Sequence, residues 1–237
     1  MGDNVRILVV GSCSKRKLVQ HKDAPSCNNL STKDALFKWQ ELLREYIVRA
    51  REMYTGYLNQ ELTKGVDLLR EIKGLEVQLV IVSAGFGIIG ENELIPPYDC
   101  SFSGMRKWEI RTRKNDLMIE YDFARICSSG FDIVYLALGR NYLLALGDEW
   151  KSVTTSIVVG FDKNLAGPRV VCIPSGYRTV STFSSRGHII HGVVGFKGDL
   201  LRILAQFATE HDDPFYEVTR WRNHDYLQNL IQRLGGL

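Results

Sequence analysis

Short apolar runs that end in glycine or other small residues recur along the chain. Runs of this kind are typical of buried parallel strands. The segments with this pattern are residues 6–11, 77–82, 131–138, 154–159 and 169–173. For residues 154–159, an edge strand or a turn is the alternative.

Between these runs, apolar side chains recur at the spacing of amphipathic helices. The predicted helices cover residues 31 or 32 to 53, 58–72, 106–127, 139–146, 199–209 and 226–234. The predicted loops cover residues 18–30, 85–104 and 176–195. Because strands alternate with helices, the pattern predicts an α/β fold with a mainly parallel sheet.

The size of the chain limits its domain organisation. It has 237 residues, of which 45% are hydrophobic. That is enough apolar material for one sizeable core. We therefore expect a single α/β domain over residues 1–237, with a C-terminal helical extension over about residues 197–237.

The formal net charge of +3 is mildly basic. It fits a nucleic-acid-binding surface and, equally, an ordinary solvated surface. No run of about 18 apolar residues is present, and residues 1–6 lead into a strand without a secretory leader. We expect a cytoplasmic protein with no membrane span and no obligatory protein partner.

The five cysteines are odd in number and form no Cys-x-x-Cys pair. This pattern predicts reduced thiols, with neither a disulfide framework nor a structural zinc site. His188 and His191 are close in sequence but have no third ligand at a suitable spacing, so a structural role is expected. The sequence suggests no metal and no cofactor.

Three chemically unusual segments follow apolar runs: residues 11–17, residues 83–87 leading to 97–99, and residues 174–178. Ligands of open α/β sheets bind outside the carboxyl ends of the strands, so these segments are expected to meet at one edge. Residues 11–17 match neither a Walker A loop nor a Gly-x-Gly-x-x-Gly turn. This argues against a nucleoside triphosphatase and against a dinucleotide enzyme.

The first segment has the chemistry of an anion site. Its backbone amides, with Ser12, Ser14 and Lys15, could bind an anion, and Lys17 could contact nucleic acid. Cys13 is a candidate nucleophile, because neighbouring cations lower the pKa of a thiol. The alternatives are a buried cysteine that lines a pocket, and solvated lysines.

The second segment contains Asp99, the best candidate for a catalytic carboxylate. It could orient a water molecule or stabilise an oxocarbenium-like sugar. Tyr98 or Phe86 offers a ring that could stack on a base, and Gly87 lies in the same loop. Alternatively, Asp99 caps a turn or pairs with an arginine.

Residues 139–142 also follow a predicted strand. Arg140 could bind phosphate there, and Tyr142 could stack on a base. The alternative is an ordinary helix start with Tyr142 in the core.

The long loop after residue 174 mixes cations, hydroxyls and aromatic rings. The candidate nucleic-acid contacts in it are Ser175, Arg178, Phe183 and Arg186. Cations and hydroxyls suit phosphate contacts, and Phe183 could fill the gap that a displaced base leaves in the helix. A solvated loop is the alternative.

Residues 12–17, 50–54, 82–89 and 95–99 together resemble a group of uncharacterised bacterial and phage domains. These domains are similar to the one that follows the transglycosylase-like part of archaeosine synthase. The resemblance covers about residues 5–145 and implies a three-layer, uracil-DNA-glycosylase-like sandwich.

In uracil-DNA-glycosylase-like proteins, an Asp, Asn or Glu after the first strand activates water or stabilises charge, and a late Pro-Ser loop presses on the DNA. Here Pro174 and Ser175 match the late loop. The loop after the first strand departs from the pattern, because it has no Asp, Asn or Glu before Gln20. The resemblance therefore implies that Asp99 takes over the catalytic role.

The expected function is that of a DNA glycosylase that removes a modified, even hypermodified phage, base, and anti-phage defence is the setting expected for it. The target nucleotide would be flipped out of the stack, because its glycosidic bond is hidden in a duplex. One alternative is a deazaguanine-type base-modifying enzyme that uses Cys13 or Lys15. Another is a module that binds modified nucleotides without turnover.

Overall fold

Strands and helices alternate along the chain in the computed structural model, which describes residues 4–32 and 34–237. The strands of the main sheet are β1 (Val5–Ser12), β3 (Leu75–Ser83), β4 (Gly87–Gly90), β6 (Ile133–Leu136), β7 (Ile157–Gly160) and β8 (Val170–Cys172). A separate antiparallel pair joins β2 (Val48–Arg49) to β5 (Leu94–Ile95).

The main sheet has the strand order β4-β3-β1-β6-β7-β8. All its neighbouring strands are parallel except β3 and β4, which form an antiparallel hairpin at one edge. The register pairs Val9 of β1 with Leu79 of β3 and with Tyr135 of β6. The prediction of a mainly parallel sheet is confirmed.

Helices cover both faces of this sheet. On one face lie α1 (Ala35–Leu42), α2 (Ala50–Met53), α4 (Lys107–Asp116), α5 (Ile119–Cys127), α6 (Arg140–Leu146) and α7 (Trp150–Val153). On the other lie α3 (Tyr57–Glu71), α8 (Tyr177–Ser185), α9 (Gly192–Thr209), α10 (Pro214–Arg220) and α11 (His224–Gly235). The result is the three-layer α/β sandwich that was expected.

The central strand β1 is buried on both faces. Leu8 and Val10 face the layer that contains α1, whereas Ile7 and Val9 face the layer that contains α3. A strand covered on both sides needs apolar residues at every position, which explains the uninterrupted apolar run in the sequence.

Helices α3 and α9 pack unusually closely. A Cβ atom on Gly65 of α3 would lie 2.9 Å from the backbone nitrogen of Arg202. A Cβ atom on Gly198 of α9 would overlap the carbonyl oxygen of Leu58. The two glycines therefore allow the backbones of these helices to approach each other.

Two predictions for the first half of the chain are wrong. The helix predicted to reach residue 53 ends at Leu42; a 3₁₀ turn (Arg44–Tyr46), β2 and the short α2 follow. The loop predicted over residues 85–104 contains β4 and β5. Pairing of β2 with β5 draws both segments into extended backbone, a tertiary effect that local periodicity does not report.

The later elements also differ from their predictions. The helix predicted over residues 106–127 breaks between α4 and α5, where Met118 has the left-handed φ of 52°. The loop predicted over residues 176–195 contains α8, and α9 begins at Gly192 rather than at residue 199. Hydroxyl-rich sequences favour loops, so the Ser/Thr content concealed α8.

Cys27 and Cys100 form a disulfide. The prediction of reduced thiols is wrong for this pair. The two residues are 73 positions apart and became neighbours only through the fold. Cys13, Cys127 and Cys172 remain free thiols.

Within residues 4–32 and 34–237, no helix is both long enough and apolar enough to cross a membrane.

Candidate functional site

A crevice opens at the carboxyl ends of β1 and β6. The chain leaves β1 toward β3 on one side and leaves β6 toward β7 on the other, so the connections diverge between these two strands. Open α/β sheets bind their ligands at such a switch point. The crevice has a volume of about 480 Å³, within the usual range for small-molecule sites.

Four parts of the chain form most of the walls of this crevice. They are the loop after β1, the first turn of α3, the first turn of α6 and the first turns of α9, and Ser103, from the segment before α4, completes the walls. The polar side chains among its lining are Ser12, Cys13, Ser14, Lys15, Tyr57, Asn59, Ser103, Arg140, Asn141, Tyr142 and Lys197. Part of the predicted set, residues 12–15 with Arg140 and Tyr142, is therefore brought together.

The crevice is strongly biased toward positive charge. Lys15, Arg140 and Lys197 line it, and among the described residues no carboxylate does. The amino ends of α3 and α6 also lie there, with Gly56 and Gly139 as their N-caps. Unpaired first-turn amides and the helix dipole both favour an anion at such ends.

Two buried polar side chains, Asn59 and Lys197, line the crevice. Asn59 is 7% exposed, and within the described part of the chain its amide group makes no hydrogen bond. Lys197 is 6% exposed, and among the described residues its amine makes one long hydrogen bond, 3.5 Å to the carbonyl oxygen of Val193, and lies 6.0 Å from the Phe161 ring centroid. Burial lowers the pKa of Lys197, because the charged amine is poorly solvated.

Sequence reasoning missed both of these residues. Each lies inside a helix rather than at a strand end, where the ligand-binding residues of an open α/β sheet are expected. Lys197 did leave a signal, since it is a charged residue within the apolar stretch of residues 193–201. A lysine that a core-facing helix buries is rare without a special environment.

Hydrogen bonds and the close approach of α3 hold the loop after β1 in place. The Cys13 amide donates to the carbonyl oxygen of Val82 (3.0 Å), which continues the sheet by one residue. Lys17 Nζ donates to the carbonyl oxygen of Ser14 (3.1 Å). A Cβ atom on Gly56 would lie 2.9 Å from Ser14 Oγ, so glycine lets α3 approach this loop. The loop is therefore a fixed wall.

Cys13 faces Tyr142 across the crevice floor. The Tyr142 hydroxyl donates to the Cys13 carbonyl oxygen (3.0 Å), and Tyr142 Oη lies 3.1 Å from Cys13 Sγ. A phenol has one proton, so the thiol must be the donor in the second bond. Burial, and then the nearby thiol, raise the pKa of Tyr142. This arrangement places Cys13 in the crevice floor with its side chain against Tyr142, which favours its pocket-lining alternative over a nucleophile.

Tyr98 and Phe86 belong to the core and do not line the crevice. Tyr98 is 2% exposed, and its hydroxyl is hydrogen-bonded to those of Tyr54 (2.8 Å) and Ser83 (2.9 Å). The Phe86 ring packs edge-on against it at 4.6 Å. Gly87 lies in β4, against the backbone of Leu117. The predicted base-stacking role is therefore wrong for these rings, because no face is free.

Lys17 is also not the surface cation that was predicted. It is 8% exposed and lies over the Tyr98 ring at 4.3 Å. Burial lowers the pKa of Lys17, although Cys13 and Asp99 act in the opposite direction. Lys17 supports the loop after β1 and cannot reach a nucleic-acid backbone.

Asp99 lies outside the crevice. Its side chain is exposed, and its backbone amide donates to the carbonyl oxygen of Pro25 (2.9 Å). The Asp99 carboxylate is close enough to Lys17 to affect its titration. The structure thus places the candidate carboxylate behind the loop after β1, beside the disulfide.

The late-loop candidates do not line the crevice either. Phe183 is completely buried and packs on the Phe196 ring at 5.0 Å, so the predicted wedge is wrong. Arg178 and Arg186 are exposed at the two ends of α8, and Ser175 precedes that helix.

A cluster of Glu61, His191 and Asp199 lies between α3 and the first turns of α9, with its possible ligand atoms within 4.8 Å of one another. Arg202 Nε and Lys64 Nζ already bind the Glu61 carboxylate, at 2.5 and 2.6 Å. His191 Nδ1 lies 2.7 Å from Asp199. Cations thus balance Glu61, and Arg202 also lies 3.9 Å from Asp199, so we interpret the cluster as an ion-pair network that joins α9 to α3.

Neither the protein-family models nor the curated proteins with which the chain was compared contain a match to it.

Proposed function

We propose that the switch-point crevice binds a nucleotide through its phosphate group. The observation that carries this proposal is the charge of the lining: Lys15, Arg140 and Lys197 converge there without a carboxylate among the described residues. A phosphate would offset the cost of burying Lys197 and would accept hydrogen bonds from the first-turn amides of α3.

The rest of the lining suits the nucleoside. Asn59 carries a donor and an acceptor that suit the edge of a base. Asn141 Nδ2 donates to the carbonyl oxygen of Phe102 (2.8 Å), which leaves the side-chain oxygen of Asn141 as an acceptor for a base. Tyr57 lies at the rim, is 54% exposed and already stacks on His191, with ring centroids 4.5 Å apart. Its exposed ring offers a base a surface for stacking.

Calorimetry with matched ligands tests this proposal. A nucleoside 5′-monophosphate should bind at least tenfold more tightly than its nucleoside. Lys197→Met should remove most of that difference, since a charge-assisted hydrogen bond contributes about 1.5–3 kcal/mol. Lys73→Met is the control, because Lys73 is exposed at the far end of α3. Equal binding of nucleoside and monophosphate would refute the proposal.

Hydrolysis of an N-glycosidic bond is the second candidate function. The observation that favours it is Asn59, a buried amide in the crevice without a partner among the described residues. Its carbonyl oxygen could hold a water molecule beside the sugar of a bound nucleotide. Asn59 adjoins β1: its Oδ1 lies 3.5 Å from the position of a Cβ atom on Gly11.

Base release from DNA tests this candidate. The protein is incubated with phage DNAs that carry modified bases and with unmodified DNA; abasic sites are assayed by alkaline cleavage and released bases by mass spectrometry. We expect Asn59→Ala to lower the rate at least a hundredfold and Asp99→Ala to leave it nearly unchanged. The opposite result would return the catalytic role to Asp99. Absence of abasic sites on every DNA would reject base excision and leave the binding proposal standing.

A further inference from the structure

A second cleft adjoins the crevice on the side of α4. It has a volume of about 530 Å³ and lies between α4, α6, α7 and the turn after β7. Its charged lining consists of Lys107, Arg111, Lys114, Glu120, Arg140, Asp148, Lys151 and Asp162. Apart from Arg140 and Asn141, its lining takes no part in the proposed nucleotide site.

The carboxylates of this cleft are all occupied. Glu120 pairs with Lys114 and accepts the backbone amide of Asp148 (2.7 Å). The Asp148 carboxylate itself pairs with Lys151 at 2.5 Å. Asp162 accepts the backbone and side-chain amides of Asn164, at 2.9 and 2.7 Å. Lys114 and Lys151 thus balance Glu120 and Asp148, whereas the groups that hydrogen-bond to the Asp162 carboxylate are neutral amides, so its charge remains in the cleft.

Three cations of the cleft have no such partner. Lys107, Arg111 and Arg140 are exposed, and in residues 4–32 and 34–237 none of them pairs with a carboxylate. Lys107 and Arg111 are four residues apart on α4, so they share one face of the helix. These three cations outnumber the one carboxylate without a cation partner in the described lining, Asp162, so the cleft has an excess of positive charge.

The two cavities share a wall. Arg140 and Asn141, in the first turn of α6, line both of them. An extended anion could thus pass from the crevice across Arg140 to Lys107 and Arg111 without leaving positively charged surface. A free nucleotide would leave the second cleft unused.

The geometry points to a nucleic-acid strand as the ligand, with one nucleotide in the crevice and the adjoining phosphodiester groups on Lys107 and Arg111. This inference rests on the proposed nucleotide site and names its substrate class. A groove lined by cations is typical of proteins that bind along the backbone of a single strand. Because the contacts are to phosphates, affinity should depend steeply on salt.

Fluorescence anisotropy with a labelled ten-residue oligothymidylate, compared with thymidine monophosphate, tests the inference. We expect Lys107→Gln/Arg111→Gln to weaken oligonucleotide binding at least tenfold. It should also lower the slope of log Kd against log salt by about 1.4, which corresponds to two phosphate contacts on a single strand. Affinity for the monophosphate should not change. The matched control is Arg178→Gln/Arg186→Gln, which removes two exposed cations from α8.

Each other outcome has a defined meaning. If Arg178→Gln/Arg186→Gln weakens oligonucleotide binding and Lys107→Gln/Arg111→Gln does not, the strand runs along α8 and the inference is wrong. It is also wrong if a polyglutamate peptide competes as well as the oligonucleotide, or if the monophosphate binds as tightly. If neither nucleotide ligand binds to a folded protein, the proposed function fails first.

Discussion

Lys197 carries its amine into the crevice from a helix that is otherwise largely apolar, and only 6% of its surface is exposed. Its environment holds the pKa of Lys197 below the ordinary value of 10.5. The folded state therefore binds this proton less readily than the unfolded chain does. Stability is linked to pH by that difference.

The linkage predicts how Lys197→Met will behave. Between the lowered pKa of Lys197 and 10.5, the unfolded chain holds more protons, so the wild-type free energy of unfolding rises with pH through this group. The free energy of unfolding of the wild type, minus that of Lys197→Met, should therefore increase by at most about 1.4 kcal/mol per pH unit. Urea denaturation across an alkaline pH series measures it. A pH-independent difference would show that Lys197 titrates normally.

The residue types in the sequence identify candidate side chains for the site, but they do not show which of these side chains are buried. Lys15 and Lys17 look alike in the sequence, yet Lys15 lines the crevice and Lys17 lies beneath it on Tyr98. Phe183 looks like a loop aromatic and is core. Burial is a property of tertiary packing, so no motif of this length could separate them.

At the scale of elements, α3 and α9 deliver two of the crevice residues, Asn59 and Lys197, from helices in direct contact. Their separation depends on glycines at the helix crossing. Gly198 faces the backbone of α3 at Leu58, which a side-chain rotation cannot relieve.

Gly198→Ala should consequently destabilise the protein by about 3 kcal/mol, because the two backbones must move apart. It should weaken monophosphate binding as well, since Lys197 is adjacent. Gly90→Ala is the control, because a Cβ atom there meets nothing within 4 Å. Thermal and urea denaturation measure both variants. Equal stabilities would show that the helices can separate at little cost.

The strands were easier to predict than the helices for a physical reason. Apolar runs buried on both faces mark β1, β3 and β6 without ambiguity. The interruption after Leu42 has no local mark, because Leu43 and Tyr46 continue the helical spacing. What ends that helix is the pairing of β2 with β5. This pairing joins Val48 to Ile95, 47 positions away in the sequence, and Arg49 to Leu94, 45 positions away.

At the scale of the whole molecule, the disulfide joins the segment before α1 to the segment before α4. Loop-closure entropy for a separation of 73 residues would contribute up to about 4 kcal/mol. Asp99 and Ser101 are the chain neighbours of Cys100, so the cross-link restrains both. The Ser101 hydroxyl in turn lies 3.3 Å from that of Tyr142, in the crevice floor. No spacing rule identifies two partners so far apart.

Reduction of the disulfide should therefore lower stability by about 2–4 kcal/mol, and Cys27→Ser/Cys100→Ser should reproduce that loss. Cys172→Ser is the control, since Cys172 is a free thiol. Urea denaturation with and without reductant measures the effect. Titration of the denatured, unreduced protein with a thiol reagent should detect Cys13, Cys127 and Cys172 alone. Reaction of all five cysteines would show that the bond does not form.

The sheet ends in very short strands on both sides, β4 with four residues and β8 with three. Long edge strands expose rows of unpaired backbone groups that recruit strands from other chains. Edges this short offer few such groups, so the molecule is poorly suited to growth by strand addition. Its encounters with other macromolecules should therefore be made through side chains, and above all through charge.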